Sequence, residues 1–331
     1  MRLAMVFIYF ALAWHSLPAH ADTSKIVTEI SGLEGRETLK IAFGSCISGQ
    51  DQSIWSAILA ERPDLMIFLG DNVYLGEAEF GNATAIYNRY KGQFSSPSVR
   101  RLLSSIPTFS IWSDHDFGPD NSDSSFAHSK ASRDAFDRFW RSSKLPGTSP
   151  GLGIAHSIRI GELLILLTDD RTYRLNPASG RAGVLFGQEQ LDWIQRQLSA
   201  PGLKAAVIAS AGQILNGGRS GESASLFPAE REKVLDVLSM SPITPVILSG
   251  DKHYLQILER KHSGKRLLEF TSSPLTAWPA GKGARAEEPF STATIYSQHN
   301  FGLLTIKLGS PVRYSIKFLD KNGGELLSRR Y

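Results

Sequence analysis

The sequence of 331 residues contains one cysteine, Cys46, so no internal disulfide can stabilise the fold. It also lacks an internal repeat, a low-complexity tract and a Pro- or Ser-rich linker, and therefore gives no sign of a fibrous architecture or of a boundary between domains. No basic cluster accompanies the net charge of +4 and the pI near 9.1, so no nucleic-acid partner is expected. With 42% hydrophobic and 21% charged residues, the composition is globular.

Long apolar runs are absent beyond the amino terminus. Residues 1–21 begin with Arg2, continue through an apolar segment at 3–14 and end in an Ala-His-Ala site, the pattern of a secretory signal peptide cleaved after Ala21. The alternative is a retained anchor, but the run is short for the ~30 Å core of a bilayer. We therefore expect a periplasmic or secreted monomer, with one domain over residues 22–331 and no membrane span after signal removal. A lone thiol in an oxidising compartment is expected to be buried, modified or bound.

Apolar runs of strand length alternate with helical patterns over most of the chain. The near-continuous hydrophobicity of these runs is typical of strands covered on both faces. Late in the chain, predicted strands follow one another without helices, so we expect an α/β fold whose last strands are mixed or antiparallel. The predicted strands are 39–44, 65–69, 108–112, 162–167, 205–209, 245–248, 267–270, 303–308 and 314–319, and the predicted helices are 53–61, 82–91, 129–141, 187–198 and 228–239.

Polar side chains follow six of the predicted strands, at the point where each strand ends. Ligands and catalytic groups of open α/β sheets gather beyond these carboxyl ends. Carboxylates gathered there would repel one another and raise each other's pKa, and a bound cation relieves that repulsion. A single Asp after a strand is most often a turn or cap residue, but six such ends together favour a metal site. The segments are Gly44-Ser45-Cys46, Gly70-Asp71-Asn72-Val73-Tyr74, Ser113-Asp114-His115-Asp116, Asp169-Asp170-Arg171, Ala211-Gly212-Gln213 and Gly250-Asp251-Lys252-His253.

The donor types at these strand ends indicate which metals would bind. Asp71 and Asp251 offer hard oxygen ligands, whereas the Cys46 thiolate and the Tyr74 phenolate suit an electron-poor transition metal such as ferric iron. A carboxylate such as that of Asp71 can also bridge two ions, as in the paired-metal sites that promote in-line displacement at phosphorus. The pattern therefore favours phosphate ester hydrolysis.

Six blocks occur in a specific order between about residue 40 and residue 308: FGSC (43–46), GDNVY (70–74), WSDHDFGP (112–119), DDRTYR (169–174), GQEQLDW (187–193) and SGDKH (249–253). In this order they resemble the PhoD-like alkaline phosphatases of the calcineurin-like metallophosphoesterase superfamily. The resemblance implies a four-layer α/β/β/α sandwich with two mixed β-sheets and metals at the sheet ends. It also implies hydrolysis of small or polymeric phosphomonoesters or phosphodiesters with iron (Fe³⁺) and calcium (Ca²⁺).

The same resemblance assigns roles to individual residues of the blocks. His115 would stabilise the phosphoryl oxygens or protonate the departing alcohol. Arg171 would grip phosphate bidentately or, as an equal alternative, form an ion pair with Asp169 or Asp170. The implied metal ligands are Cys46 and Tyr74 on the iron, Asp71 as the bridge, Asp114 on the second metal, and Asp251 and His253 completing the shell.

Two departures from the family pattern define the competing hypothesis. Ser113 stands where the family usually has an acid, and Asp120-Asn121 reverses the common order of that pair. A catalytically impaired protein that only binds metal or phosphate on the same fold is therefore the alternative. We favour the enzyme, in which a metal-activated hydroxide attacks phosphorus in line. A serine hydrolase is not supported, because no Gly-x-Ser-x-Gly elbow follows a strand.

Overall fold

The computed structural model describes residues 23–49, 51–141, 144–145, 147–148, 151–177, 182–218, 222–281, 290–295 and 298–331. The proposed signal peptide at 1–21 lies outside these ranges. The helices are α1 (Thr23–Ser31), α2 (Ser53–Ala60), α3 (Ala83–Gln93), α4 (Pro97–Ser105), α5 (Asp114–Phe117), α6 (Ser129–Trp140), α7 (Gln188–Leu198) and α8 (Pro228–Met240). The strands are β1 (Thr38–Gly44), β2 (Leu65–Leu69), β3 (Thr108–Ile111), β4 (His156–Ile160), β5 (Leu163–Leu167), β6 (Ala205–Ser210), β7 (Val246–Ser249), β8 (Leu255–His262), β9 (Lys265–Thr271), β10 (Ser291–Ile295), β11 (Asn300–Lys307), β12 (Arg313–Asp320) and β13 (Glu325–Arg330).

Across the described ranges, the strands form two mixed sheets. The first has the order β13-β12-β11-β1-β2-β3, in which β1, β2 and β3 are parallel and β11, β12 and β13 are antiparallel. The second has the order β10-β8-β9-β7-β6-β5-β4, in which β5, β6, β7 and β9 are parallel. The parallel strands lie on one side of the first sheet and in the middle of the second, and they direct several carboxyl ends to one edge, where functional groups gather.

Alternating side chains of the second sheet separate two cores, since successive residues of a strand point to opposite faces. On β5, Leu163, Ile165 and Leu167 belong to the large core shared with the first sheet. Leu164 and Leu166 lie on the opposite face, in the core that contains residues of α7 and α8. Every residue of β5 is buried, as expected of a strand covered on both sides.

The outer face of the first sheet is covered by aromatic side chains from helices. Phe68 of β2 makes edge-on contact with Trp55 of α2 at 6.0 Å between ring centroids and with Phe94, directly after α3, at 5.5 Å. Trp140 of α6 lies at 5.5 Å. Helices thus pack outside each of the two facing sheets, and the predicted α/β/β/α arrangement with two mixed sheets is confirmed.

Elements without a strong apolar pattern were not predicted from the sequence. The strand β13 lies at a sheet edge and is half-buried or exposed throughout, so it has no run of buried positions. The helices α1, α4 and α5 are short, and β4, β8 and β10 also went unpredicted. None of the helices in the described ranges combines the length and the apolar character that a membrane crossing requires.

Candidate metal centre

Four predicted metal ligands share an unusual backbone conformation at the ends of their strands. Cys46, Asp71, Asp251 and His253 have positive φ angles of 64°, 50°, 67° and 55°. L-residues other than glycine rarely adopt this left-handed conformation, and it is concentrated at functional sites that the surrounding structure holds in place. The chain therefore turns sharply at each of these side chains, immediately beyond β1, β2 and β7.

Two glycines allow these turns to approach one another. A Cβ on Gly250 would lie 2.5 Å from the Cβ of Ser45 and 3.0 Å from the carbonyl oxygen of Leu69. A Cβ on Gly70, which has a φ of +91°, would lie 2.7 Å from the Cβ of Ser113. Only glycine avoids these clashes, so both positions permit the close packing of loops from different strands.

Hydrogen bonds donated by backbone amides fix the three strand ends relative to one another. The Cys46 amide donates to the Gly70 carbonyl at 3.2 Å. The Asp251 amide donates to Ser45 Oγ at 3.0 Å, which joins the second sheet to the first. The His253 amide donates to the hydroxyl of Ser273, beyond β9. The predicted ligands are therefore held by partners that lie far away in the sequence.

Cys46, Asp71 and His253 form what we call the metal cluster. One potential ligand atom from each lies within 4.8 Å of the others. Cys46 Sγ lies 3.4 Å from Asp71 Oδ2 and accepts a hydrogen bond from Ser273 Oγ at 3.1 Å. The second oxygen, Asp71 Oδ1, is buried and has no hydrogen-bond partner among the described residues. A buried carboxylate oxygen without a partner is costly, and a metal ion would satisfy it.

The hydrogen bond at Nδ1 identifies which nitrogen of His253 is available to a metal. Nδ1 faces the carbonyl oxygen of Trp278, which can only accept, so the proton lies on Nδ1. Nε2 then carries a lone pair and lies 3.2 Å from the hydroxyl of Tyr74. Burial lowers the pKa of His253 and favours the neutral ring. Metal-binding histidines typically have this arrangement, in which a carbonyl fixes the opposite nitrogen.

Tyr74 lies beside the metal cluster within a group of rings. Its ring centroid is 4.4 Å from that of His115 and 5.2 Å from that of Trp278. Burial, followed by the negative charges of Cys46 and Asp71, raises the pKa of Tyr74. Its phenol would therefore ionise only if a cation were bound nearby.

Burial opposes the ionised forms of the two acids in the metal cluster. Burial raises the pKa of Cys46 to about 11. Burial also raises the pKa of Asp71, and the nearby Cys46 and Asp114 raise it further. Ion pairs to Lys or Arg are absent from Cys46 and Asp71 among the described residues. These donors, oxygen and sulfur acids together with a neutral imidazole, fit a bound cation.

Two further groups of possible ligands extend from the metal cluster. Asp71, Asp114 and His115 have ligand atoms within 4.8 Å of one another, as do Asp114, Glu222 and Asp251. Asp71 is shared between the metal cluster and the first of these groups, a position that suits the predicted bridge between two ions. Glu222 was not predicted, because it follows no strand and belongs to none of the six sequence blocks.

Glu222 belongs to what we call the arginine cluster, which also contains Arg171 and Arg174. Arg171 is fully buried, and its two terminal nitrogens both donate to the Glu222 carboxylate, one of them at 2.8 Å. Arg174 Nη2 lies 3.4 Å from Glu222 Oε1. Arg171 Nε is also 3.4 Å from Asp170, one of the two partners named in the sequence-based alternative. The ion pair with Glu222 is the shorter one.

Ser113 connects the arginine cluster to the predicted ligand Asp114. Its hydroxyl accepts a hydrogen bond from Arg171 Nη2 at 3.2 Å and donates to Asp114 Oδ1 at 3.1 Å. The other oxygen, Asp114 Oδ2, accepts from the amide of Asn121 at 2.7 Å. The two departures from the family pattern, Ser113 and Asp120-Asn121, therefore both contact the region around Asp114.

Asp116 is a positioning residue that the sequence blocks contain but to which sequence reasoning gave no role. Its carboxylate accepts hydrogen bonds from the amides of Asn72 and Ser113 and from the Tyr90 hydroxyl. Burial raises the pKa of Asp116 to about 6, against the opposing effect of these hydrogen bonds. It connects the loop after β2 to the loop after β3, and so sets the spacing between Asp71 and Asp114.

The predicted residues surround a cavity of about 300 Å³. Among the described residues that line it there are five carboxylates and no Lys or Arg, so a phosphate ester would be repelled unless cations were present. Arg171 is not among these lining residues, whereas the exposed Trp278 is. The lining residues are Asp71, Asp114, His115, Asp120, Asn121, Glu222, Asp251, His253, Trp278 and Ala280.

Comparisons with known proteins agree with this fold. A family model described as PhoD-like phosphatase matches residues 42–308, whereas no curated protein matches by sequence. The fold is similar to a structure of PhoD, with 19% identity, a TM-score of 0.70 and coverage of 88% of this chain and 68% of that one. It is also similar to GAP50, the anchor in the inner membrane complex of Plasmodium, at 13% identity, TM-score 0.58 and 88% coverage of both chains. Purple acid phosphatase PPD1 from yellow lupin seeds has 11% identity and a TM-score of 0.58, over 88% of this chain and 53% of that one.

Proposed function

The chain belongs to the PhoD-like phosphatase family, and from that premise we propose that it is a metal-dependent phosphoesterase that hydrolyses phosphomonoesters, phosphodiesters or both. The observation that carries the proposal is the metal cluster, in which a buried thiol, an unpartnered carboxylate oxygen and a neutral imidazole converge, and in which no described Lys or Arg forms an ion pair with Cys46 or Asp71. A protein that only bound phosphate would be expected to line its cavity with arginine or lysine, whereas the described lining residues include five carboxylates and neither of these.

The donor set supports two different ions. Cys46, Tyr74 and His253 would hold an iron ion, since sulfur, phenolate and imidazole donors suit a transition metal. Asp114 and Asp251 would hold calcium, which prefers oxygen, and Asp71 would contact both ions. When bound, the ions supply positive charge that lowers the pKa of water and offsets the charge of the phosphoryl oxygens.

His115 is the group proposed to act directly on the substrate. It lines the cavity, its ring lies against that of Tyr74 at a tilt of 38°, and its Nε2 lies 3.6 Å from the exposed carboxylate of Asp120. As hydroxide attacks phosphorus in line with the leaving oxygen, His115 would donate a proton to that oxygen or a hydrogen bond to a phosphoryl oxygen.

Arg171 is proposed to act on the site indirectly, through its effect on Asp114. Its guanidinium orients Ser113, which in turn donates to Asp114, and its charge offsets that of the carboxylates nearby. A direct grip on phosphate, as the family resemblance implies, would require phosphate to displace Glu222 from Arg171. We further propose that the protein is exported, a proposal that rests on the sequence pattern of residues 1–21 alone.

The test is hydrolysis of aryl phosphate monoesters and diesters by the purified protein, together with elemental analysis. A metal or phosphate binder without catalytic activity would release no product. His115→Ala is expected to lower kcat by roughly 10²- to 10⁴-fold while the metal content is retained. The exposed His128 provides the control, because His128→Ala should change neither quantity. Loss of iron from His115→Ala would show that His115 is a ligand instead.

A further inference from the structure

A second cavity lies beside the metal centre. It has a volume of about 810 Å³, against about 300 Å³ for the cavity at the metal cluster. Asn121 lines both, so the two cavities meet at this residue. A phosphoryl group needs little more room than the smaller cavity offers, whereas the larger one is in the range of sites for organic molecules. We call it the side cavity.

The walls of the side cavity are mostly apolar. Leu226, Phe227 and Pro228 form one part of the wall, and Pro177 and Ala182 belong to another. Burial of apolar surface from a ligand would be favourable here, by about 25 cal/mol per Å². A ligand with a sizeable apolar body therefore fits this space better than a sugar or glycerol unit does.

Arg174 is the one Lys or Arg among the described residues that line the side cavity, and its guanidinium is buried. Its guanidinium lies over the ring of Phe227 at 4.8 Å, and its Nε donates to Asn176 Oδ1 at 2.8 Å. Nη2 faces Glu222 at 3.4 Å, but Nη1 is buried and has no hydrogen-bond partner among the described residues. A buried donor of a charged group without an acceptor is costly, and an oxygen of a ligand would relieve that cost.

We propose that the side cavity binds the alcohol portion of the phosphate ester, and that this portion has a flat apolar body carrying an anionic oxygen that Arg174 recognises. The inference rests on the proposed function, because it places the phosphoryl group at the metal cluster and the leaving group beyond Asn121. The preferred substrates are then aryl-type esters with a carboxylate or similar group, and Arg174 is a specificity-determining residue.

The test compares three esters with matched chemistry: 4-carboxyphenyl phosphate, 4-methylphenyl phosphate and methyl phosphate. In Arg174→Met, the ratio of kcat/KM for the carboxyphenyl ester to that for the methylphenyl ester should fall by roughly tenfold or more, mainly through KM. The intrinsic reactivities of the two phenols cancel when this ratio is compared between variant and wild type. An unchanged ratio would overturn the inference.

A second variant tests the side cavity without altering the contact between Arg174 and Glu222. Ala229 is an exposed residue near the start of α8 that lines the side cavity, so Ala229→Trp fills the cavity with little expected cost to folding. It should lower kcat/KM for both aryl esters and leave methyl phosphate unchanged. Met240→Trp, at the exposed end of the same helix, is the matched control and should affect none of the three. Equal losses on all three esters in Ala229→Trp would contradict the assignment.

Binding of 4-hydroxybenzoate, the alcohol product of the carboxyphenyl ester, can be followed by NMR and gives a readout that does not require turnover. Its Kd should rise in Arg174→Met and Ala229→Trp and stay constant in Met240→Trp. Equal binding to all variants, or none to the wild type, would overturn the inference. If the wild type hydrolyses none of the esters, the proposed function is wrong, and the dependence of binding on Arg174 still decides whether the side cavity is a ligand site.

Discussion

The metal cluster and the arginine cluster are neighbours that both contain buried charged groups, but their charge balance is opposite. In the arginine cluster, Arg171 and Arg174 surround Glu222, so the chain supplies its own positive charge. In the metal cluster, Cys46 and Asp71 lie 3.4 Å apart, and burial raises the pKa values of both. Buried acids need a counter-charge from somewhere. Where the side chains provide none, the acid either stays protonated or is held by an ion from solution.

Removing the charge of Asp71 should have the largest effect. Asp71→Asn keeps the shape of the side chain but removes the proposed bridge, so bound metal should be lost and kcat should fall by roughly 10³-fold, since a Lewis-acid site contributes several kcal/mol. In metal-free protein the same variant should unfold at a higher temperature than wild type, because burial and the neighbouring acids oppose the Asp71 charge. Elemental analysis, steady-state kinetics and thermal unfolding after chelation measure these effects.

The control for this experiment is Asp192→Asn on the exposed side of α7. It should change neither metal content nor activity nor the unfolding temperature. Retention of metal and full activity by Asp71→Asn would contradict the view that Asp71 needs an external cation.

Removing the negative charge of Glu222, which balances the two arginines of the arginine cluster, should have the next largest effect. Glu222→Gln leaves the charge of Arg171 buried without its main partner, which is expected to lower the free energy of unfolding by about 3–5 kcal/mol. The exposed pair of Glu162 and Lys204, at 2.9 Å, is the comparison, and Glu162→Gln should cost less than about 1 kcal/mol. Urea denaturation of both variants measures the difference. Similar losses would show that burial does not distinguish the two pairs.

His156 avoids an unpaired buried charge in a third way, by losing its proton. Burial lowers the pKa of His156 from 6.5 to about 4. Between these pH values the unfolded chain binds a proton that the folded chain does not, so stability should fall as the pH drops through this window, by about 3 kcal/mol in total. Urea denaturation at pH 7 and pH 4.5 should show a smaller fall for His156→Gln than for wild type. His128→Gln, on the surface, should behave as wild type does.

The family and the fold class could be predicted because they depend on local patterns. Continuous apolar runs identified β2 at its observed limits and β1, β3, β5, β6 and β7 to within one or two residues. Turn and glycine signals after these strands then placed Cys46, Asp71 and Asp251 at a common edge, since parallel strands carry their carboxyl ends together. The structure brings these residues together, and their roles as ligands stay predictions.

The arginine cluster could not be predicted, because its geometry depends on a partner without a local signal. Glu222 lies 51 residues from Arg171 along the chain and precedes a short 3-10 helix at Ala224–Leu226. The packing of the segment that contains Glu222 decides whether Arg171 faces the cavity or a carboxylate. No periodicity or motif in the sequence predicts that packing. That Arg174 Nη1 has no hydrogen-bond partner among the described residues can likewise be seen only in the folded structure.

The position of β1 in the first sheet has a consequence for how the protein is made. Ile41 of β1 is paired with Leu304 of β11, so one edge of β1 stays unpaired until β11 has been synthesised. A polypeptide still emerging from the ribosome, or one truncated before β11, presents that edge to other molecules as a template for aggregation. Such pairings between distant segments also slow folding. Chaperone protection until translation ends is therefore the condition under which this chain should give its best yield.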